Sequence, residues 1–216
     1  MRVTRAQAEE NRRTVIETAA RLFRERGFDG IGLADLMGAA GLTHGGFYKQ
    51  FRSKDDLAAQ ACAHALAAST ERWTRTVEDA KTAGGDPFAQ LVGRYLSRAH
   101  RDRVGEGCAL AALGPDAARH SQAVGRAFAA SIESHLGILE QAMRASPSGV
   151  AQDAPVVVLS TLIGALVLSR LAQDETLGRR ILDEAARSLL GGKESSGKNS
   201  PTRKSVDPPA TKSAPA

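Results

Sequence analysis

Residues 40–54, Ala40-Gly41-Leu42-Thr43-His44-Gly45-Gly46-Phe47-Tyr48-Lys49-Gln50-Phe51-Arg52-Ser53-Lys54, read as a tight turn, a very short helix and the start of a second helix. Glycine enters the left-handed backbone region without a Cβ clash, so Gly41 is where a helix begun near Leu33 stops. Thr43 offers a hydroxyl as N-cap for the next helix. Within that helix Phe47 and Phe51 share one face, whereas His44, Tyr48 and Lys49 point away from it. The aromatic face is anchored and the polar face is offered outward. Gly45 and Gly46 are poor helix interior, each costing ~1 kcal/mol relative to alanine. Close approach of a phosphate or base edge would compensate for that bare backbone.

Upstream, Val15, Ile16, Ala19, Leu22 and Phe23 recur at helical spacing, and Gly27 is a plausible stop. The helix before the turn packs through Leu33, Leu36 and Met37. Residues 1–55 therefore form a three-helix unit in which the turn sets the angle of the following helix, as in a helix-turn-helix.

Residues Asn11 to Leu57 resemble the N-terminal domain of TetR-type (TetR/AcrR) transcriptional repressors. The signature is Gly45-Gly46-Phe47-Tyr48-Lys49-Gln50-Phe51-Arg52-Ser53-Lys54, which joins turn, aromatic spacing and a Ser-Lys helix start. Two positions depart from the pattern. Gly32 stands where a threonine often caps the second helix, and Leu33 and Ala34 stand where some members place a base-reading side chain. Readout is thus expected to fall on the third helix. The resemblance implies that Tyr48 and Lys54 touch the DNA backbone. Thr43, His44, Lys49 and Gln50 are the candidates for base discrimination, since lysine donates to guanine and glutamine pairs with adenine in the major groove; Gly45 and Gly46 permit close approach.

Composition and charge agree. Aromatics make up only 4% of 216 residues and strand-like alternation is scarce, which indicates an all-α chain. Residues 1–54 hold ten Lys/Arg against six Asp/Glu, residues 193–216 five against two, and the intervening stretch is net −2. Positive charge therefore sits on the motif-bearing end and the tail, as a nucleic-acid-facing surface requires. Two cysteines are too few for a disulfide framework, and the first residues lack the apolar core of a signal peptide. The longest apolar run, Val156 to Leu168, is broken by Ser160, Thr161 and Gly164 and falls short of the ~20 residues that span a bilayer. A cytoplasmic protein is expected.

Residues 56–192 read as a helical ligand-binding and dimerisation domain. A long helix opens at Lys54 and runs towards Ala80, and a second is expected from Phe88 to about His100. Arg101 to Gly107 reads as a polar link, and Cys108 to Leu113 as a short apolar helix ended by Gly114-Pro115. A helix to about Ala145 carries Val124, Phe128, Ile132, Leu136 and Leu139 at steps of three and four, and Ser146 to Asp153 reads as a loop. Pro155 to Ala172 and Glu175 to Leu190 complete the body. The first of this pair is apolar nearly all round, so it needs cover on both sides, from its own domain and from a second subunit. The resemblance implies a four-helix dimer interface here, with Gly164 allowing close contact. Trp73, Phe88, Tyr95, Leu110, Phe128 and Ile132 are the candidate lining of a small-molecule pocket. Residues 193–216, rich in Ser, Pro, Lys, Gly and Ala, read as a disordered basic tail.

Catalytic signatures are absent: no nucleophile elbow, phosphate loop or dinucleotide fingerprint occurs, so an enzyme is not expected. No cofactor is expected. Cys62, His64, His100, Cys108 and His120 show no metal-ligand spacing, and no metal site is expected. Cys108 admits two readings. A thiol at a helix N-terminus can be activated, and some regulators of this type respond to electrophiles or oxidants through a cysteine in this region; equally, cysteine is often a small buried hydrophobe. The sequence thus leads to a homodimeric repressor on a palindromic double-stranded operator, released by a small-molecule effector. The alternative is a thiol-based redox or electrophile sensor acting through Cys108.

Overall fold

The computed structural model describes residues 4–147 and 154–191, and all regular structure within them is helical. The expectations for the extreme N-terminus, most of the 146–153 loop and the 193–216 tail lie outside the described residues.

Helix α1 (Arg5–Arg26) starts where the Thr4 hydroxyl accepts the Gln7 N–H and ends at Gly27, whose φ of 74° only glycine adopts cheaply. It buries Val15, Ala19, Ala20, Leu22 and Phe23. Helix α2 (Leu33–Ala39) has Gly32 as N-cap without a side-chain bond and buries Leu36 and Met37. It closes at Gly41 (φ 71°), where Leu42 N–H reaches Met37 O and Gly41 N–H reaches Gly38 O, both at 2.9 Å. Those two bonds are the paired pattern of a left-handed helix stop.

The next helix is a tight 3-10 turn, His44–Lys49, rather than an α-helix. Thr43 stands at its N-cap position, but its hydroxyl makes no capping bond, contrary to the sequence expectation. Two glycines in six residues explain the tighter form: they add nothing to hold a wider α-turn.

Helix α3 (Lys54–Thr82) is the backbone of the molecule, ~43 Å long at 1.5 Å per residue. Its start is reciprocal. Ser53 accepts the Asp56 N–H at 3.1 Å, and the Asp56 carboxylate accepts the Arg52 N–H at 3.0 Å. The Arg52 N–H, followed by the Gln60 amide, holds the Asp56 carboxyl below its ordinary range. One side of α3 packs on α1, and further along it meets α4 (Pro87–Tyr95), α6 (Ala109–Ala117) and α7 (Gln122–Arg144). A continuous apolar core runs from Val15 in α1 to Leu189 in α9 (Glu175–Leu189), so the two regions read from sequence share α3 and one interior.

Three boundaries differ from expectation. α4 stops at Tyr95, and a separate α5 (Arg98–Asp102) follows. Ser97 breaks the run: its hydroxyl donates to Arg94 O and accepts the His100 N–H, offering the backbone an alternative to helix. The link after it is not free chain, because a 3-10 turn, Val104–Glu106, buries Gly105. α6 runs through Gly114-Pro115 to Ala117; Ala118 N–H bonds Gly114 O beyond the proline, which removes a single donor and faces solvent.

α8 (Pro155–Leu171) and α9 pack on each other. α8 buries Val158, Leu159, Leu162, Ala165 and Leu166, but its other side is open: Val156, Val157, Leu168 and Leu171 are exposed, the last two at 56% and 71%. Within the chain α8 is covered on one side only. A Cβ at Gly164 would meet nothing within 4 Å.

Candidate nucleic-acid interface and ligand cavity

Two places on the molecule combine accessible polar groups with firm support. The first is the turn. Phe47 is fully buried, stacks on Phe51 at 5.4 Å and is met edge-on by Tyr48, whose own ring is 67% exposed. His44 stands edge-on to Tyr48 at 6.1 Å. Arg12 of α1 lies 4.8 Å over the Phe51 ring, clamping the anchor from outside. Thr43, His44, Gly45, Tyr48 and Lys49 are exposed; Gly46, Gln50 and Lys54 are half-buried. All eight residues singled out in the sequence therefore sit on one short stretch with the aromatic pair beneath. Neither Gly45 nor Gly46 has positive φ. A Cβ on Gly45 would meet nothing within 4 Å, and on Gly46 only Thr43 Oγ1 at 3.9 Å and Met37 Cε at 4.0 Å. The protein's own packing thus gives no reason for either glycine.

The second place is a cavity of about 700 Å³ bounded by α3, α4, α5 and the 103–108 segment. Trp73 and Tyr95 meet edge-on at 5.5 Å on its wall, and Cys108 is among the lining residues. Of the six candidate lining residues, Trp73 and Tyr95 line it. Phe88, Leu110 and Phe128 are buried in the core instead, and Ile132 is 41% exposed on the outer side of α7. Sequence reading missed Ser69, Arg72 and Thr76, which with Trp73 make an i, i+3, i+4, i+7 stripe along α3. Polar residues recurring on the inward face of a long helix were the available signal.

Around Cys108 most polar groups are tied to one another, while the Tyr95 hydroxyl is buried without a hydrogen-bond partner. His100 Nδ1–H donates to Tyr95 O at 2.7 Å, so its Nε2 accepts the Cys108 N–H at 3.1 Å. Burial, against the pull of the Tyr95 carbonyl, lowers the His100 pKa, and Arg170 and Arg72 lower it further. Cys108 is the N-cap of α6, as its placement suggested, but the residue is only 3% exposed. Tyr95 is raised well above its ordinary value by burial and by the neighbouring Cys108 thiol. Cys62, the other free cysteine, lies in the α3 core, where burial pushes its thiol up to about 12. His64 points outward and His120 packs on Phe28 at 4.4 Å, so the five cysteine and histidine positions do not converge. Among the described residues no group of three or more metal-ligating side chains forms.

Deeper, Ser69 Oγ lies 3.1 Å from His135 Nε2, and His135 Nδ1–H donates to Ser131 O at 2.7 Å. The ring is fully buried against Trp73, and burial lowers its pKa. This is a satisfied structural histidine one layer behind the cavity.

Comparison with known proteins places residues 15–61 in the family described as bacterial regulatory proteins, tetR family. The HTH-type transcriptional regulator YerO of Bacillus subtilis is 30% identical over 93 residues, 43% of this chain and 31% of that protein, so the chain spans under a third of this curated relative. A TetR transcriptional regulator from Chloroflexus aurantiacus superposes with a TM-score of 0.70 at 22% identity, covering 86% of this chain and 95% of its own. AibR, solved in complex with isovaleryl coenzyme A and operator DNA, gives 0.57 at 18% identity, covering 83% and 98%. Among the described residues no helix is long and apolar enough to cross a membrane.

Proposed function

Given that the chain belongs to the TetR/AcrR family of DNA-binding transcriptional regulators, we propose that it is a homodimeric repressor of a palindromic operator, released when a small molecule fills the cavity beside Trp73. The observation that carries this reading is the set of exposed side chains Thr43, His44, Tyr48 and Lys49 held on the Phe47–Phe51 anchor, with Gly45 facing open space between them. Tyr48 and Lys54 hold phosphates; Thr43, His44, Lys49 and Gln50 meet base edges. The open apolar side of α8 is the dimer face, and pairing there sets two such stretches for successive major grooves ~34–36 Å apart. AibR, with both coenzyme A ester and operator bound, supports a shared logic of effector and DNA on this fold. An effector acts by binding one spacing of the two DNA domains better than the other. Selection of bound sequences from a random DNA pool tests the reading: a two-fold consensus supports it, and no enrichment overturns it.

A second reading is favoured by one observation, the place of Cys108 among the cavity's lining residues. In it, a reactive small molecule entering the cavity modifies this thiol, and the added bulk takes the place of the reversible ligand. Operator release that persists in a Cys108→Ser protein excludes it.

A further inference from the structure

We propose that the cavity ligand is an anion, an apolar or aromatic body carrying a carboxylate or phosphate, with Arg72 and Arg94 as its counter-charges. This deepens the effector reading above and rests on it. The argument begins with the charges on the wall. Arg72, Arg94 and Arg103 line the cavity with Asp86 and Glu106. The two carboxylates are engaged. Asp86 caps α4 by accepting the Phe88 and Ala89 N–H groups and takes the Ser146 hydroxyl at 2.7 Å. Glu106 pairs with Arg103 at 3.9 Å. Among the described residues no carboxylate lies within 4.0 Å of the Arg72 or Arg94 guanidinium, and Glu106 and Glu71 act on Arg72 only from farther off.

Nothing behind the wall neutralises them. Arg24 donates to Gly105 O, and Arg170 donates to His100 O and Arg101 O at 3.0 Å, so both guanidinium groups rest on backbone carbonyls. Arg170 leaves Nη1 buried without a partner. Burial works against the charge of Arg24, Arg72 and Arg170 alike. Arg24 and Arg170, half-buried behind the wall, and Arg72, exposed on it, thus lie around Cys108 with no buried carboxylate among them. His100 adds no charge, because its two nitrogens are held in the neutral tautomer by Tyr95 O and the Cys108 N–H. A cationic ligand would be repelled by Arg72 and Arg94, both open to solvent at the cavity, and a neutral one would leave their guanidinium groups to water alone. The body of the ligand is set by Trp73, Tyr95, Leu91 and Ala89, and about 700 Å³ admits a molecule of two to three fused or linked rings. A planar guanidinium takes carboxylate and phosphate alike through paired N–H donors.

Trp73 is the single tryptophan of the chain and lies on the cavity wall, so its emission reports occupancy. The test titrates the full-length protein with 8-anilinonaphthalene-1-sulfonate and with its uncharged counterpart N-phenyl-1-naphthylamine. The expected result is quenching of Trp73 by the sulfonate at an affinity at least about tenfold above the neutral dye. Arg72→Gln should lose about tenfold for the sulfonate, the size of one charge-assisted hydrogen bond, and nothing for the neutral dye. Arg94→Gln serves as a second variant, since Arg94 is exposed and carries no packing. Displacement by 1-naphthoate or by 1-naphthyl phosphate then distinguishes the head groups. Equal quenching by both dyes keeps the cavity as the effector site and overturns the anion. Binding that leaves Trp73 emission unchanged, or no binding of either dye, overturns the cavity reading and the anion with it.

Discussion

The Arg24 guanidinium, in the last turn of α1, donates through Nε to the backbone carbonyl of Gly105 at 2.7 Å, and its terminal nitrogen donates to the same oxygen. Gly105 is buried there, and a Cβ on it would collide with the side chains of Arg21 and Glu25 on α1. Two residues further on, Gly107 and Cys108 form the cavity wall. The first helix of the DNA-binding unit and the edge of the cavity are therefore in direct contact.

Arg24→Ala should weaken this contact. A part-buried charge-assisted hydrogen bond of this kind is worth about 1.5–3 kcal/mol, so the urea midpoint should fall accordingly. If the contact also transmits occupancy, operator affinity in the variant responds less to cavity ligands than in wild type. Full wild-type response in electrophoretic mobility shifts would remove Arg24 from the route.

At the turn, Tyr48→Phe and Lys54→Ala should weaken binding to all DNA sequences alike, and loss of the Lys54 charge should reduce the salt slope by about one. His44→Ala and Gln50→Ala should instead relax the selected consensus at one symmetric pair of positions, each contact being worth about 1–3 kcal/mol. Isotherms at several salt concentrations separate the two classes. An unaltered consensus for both of the latter variants sinks their assignment to base readout.

The dimer is tested on the open face of α8. Leu171→Glu and Leu168→Glu change residues that the chain leaves exposed, so helicity should persist while sedimentation shifts to monomer. Leu166→Glu, at a fully buried position, should unfold the protein instead, because the carboxylate would have no partner. A wild-type protein that sediments as a monomer at micromolar concentration overturns the interface.

Acid should destabilise the chain through His135 and His100. Burial lowers both folded pKa values below the ordinary 6.5, so the unfolded state binds protons first as pH falls. The stability is fully present above about pH 6.5 and is lost progressively below it, towards the depressed folded values. A His135→Gln protein should show a shallower decline of the urea midpoint between about pH 6.5 and 5. Parallel declines would mean that His135 does not titrate on unfolding.

How far the sequence alone reaches is clear at particular residues. Gly41, Gly27, Phe47 and Phe51 were legible because a helix stop and an i, i+4 aromatic pair are local features with few alternatives. Thr43 was misread as a side-chain cap, since capping preference does not say whether the hydroxyl turns inward. The break after Tyr95 escaped because it depends on Ser97 and His100 capturing backbone groups, a competition that periodicity does not register. Leu110 and Phe128 could not be told from cavity residues because core and lining share one hydrophobic pattern. Arg72 was overlooked for the opposite reason: a charged side chain on α3 reads as solvated surface, and it does stay exposed, so only the cavity formed beside it by α4 and the 103–108 segment gives it a further setting.

The stop at Gly41 is built from the backbone of Met37, Gly38 and Leu42, and the anchor beneath it from Phe47 and Phe51. Thr43, His44 and Lys49 take part in neither. Their side chains can be exchanged with little effect on folding, so this scaffold permits the outward surface of the turn to vary, or to be reprogrammed by design, while the angle at which it is presented stays constant.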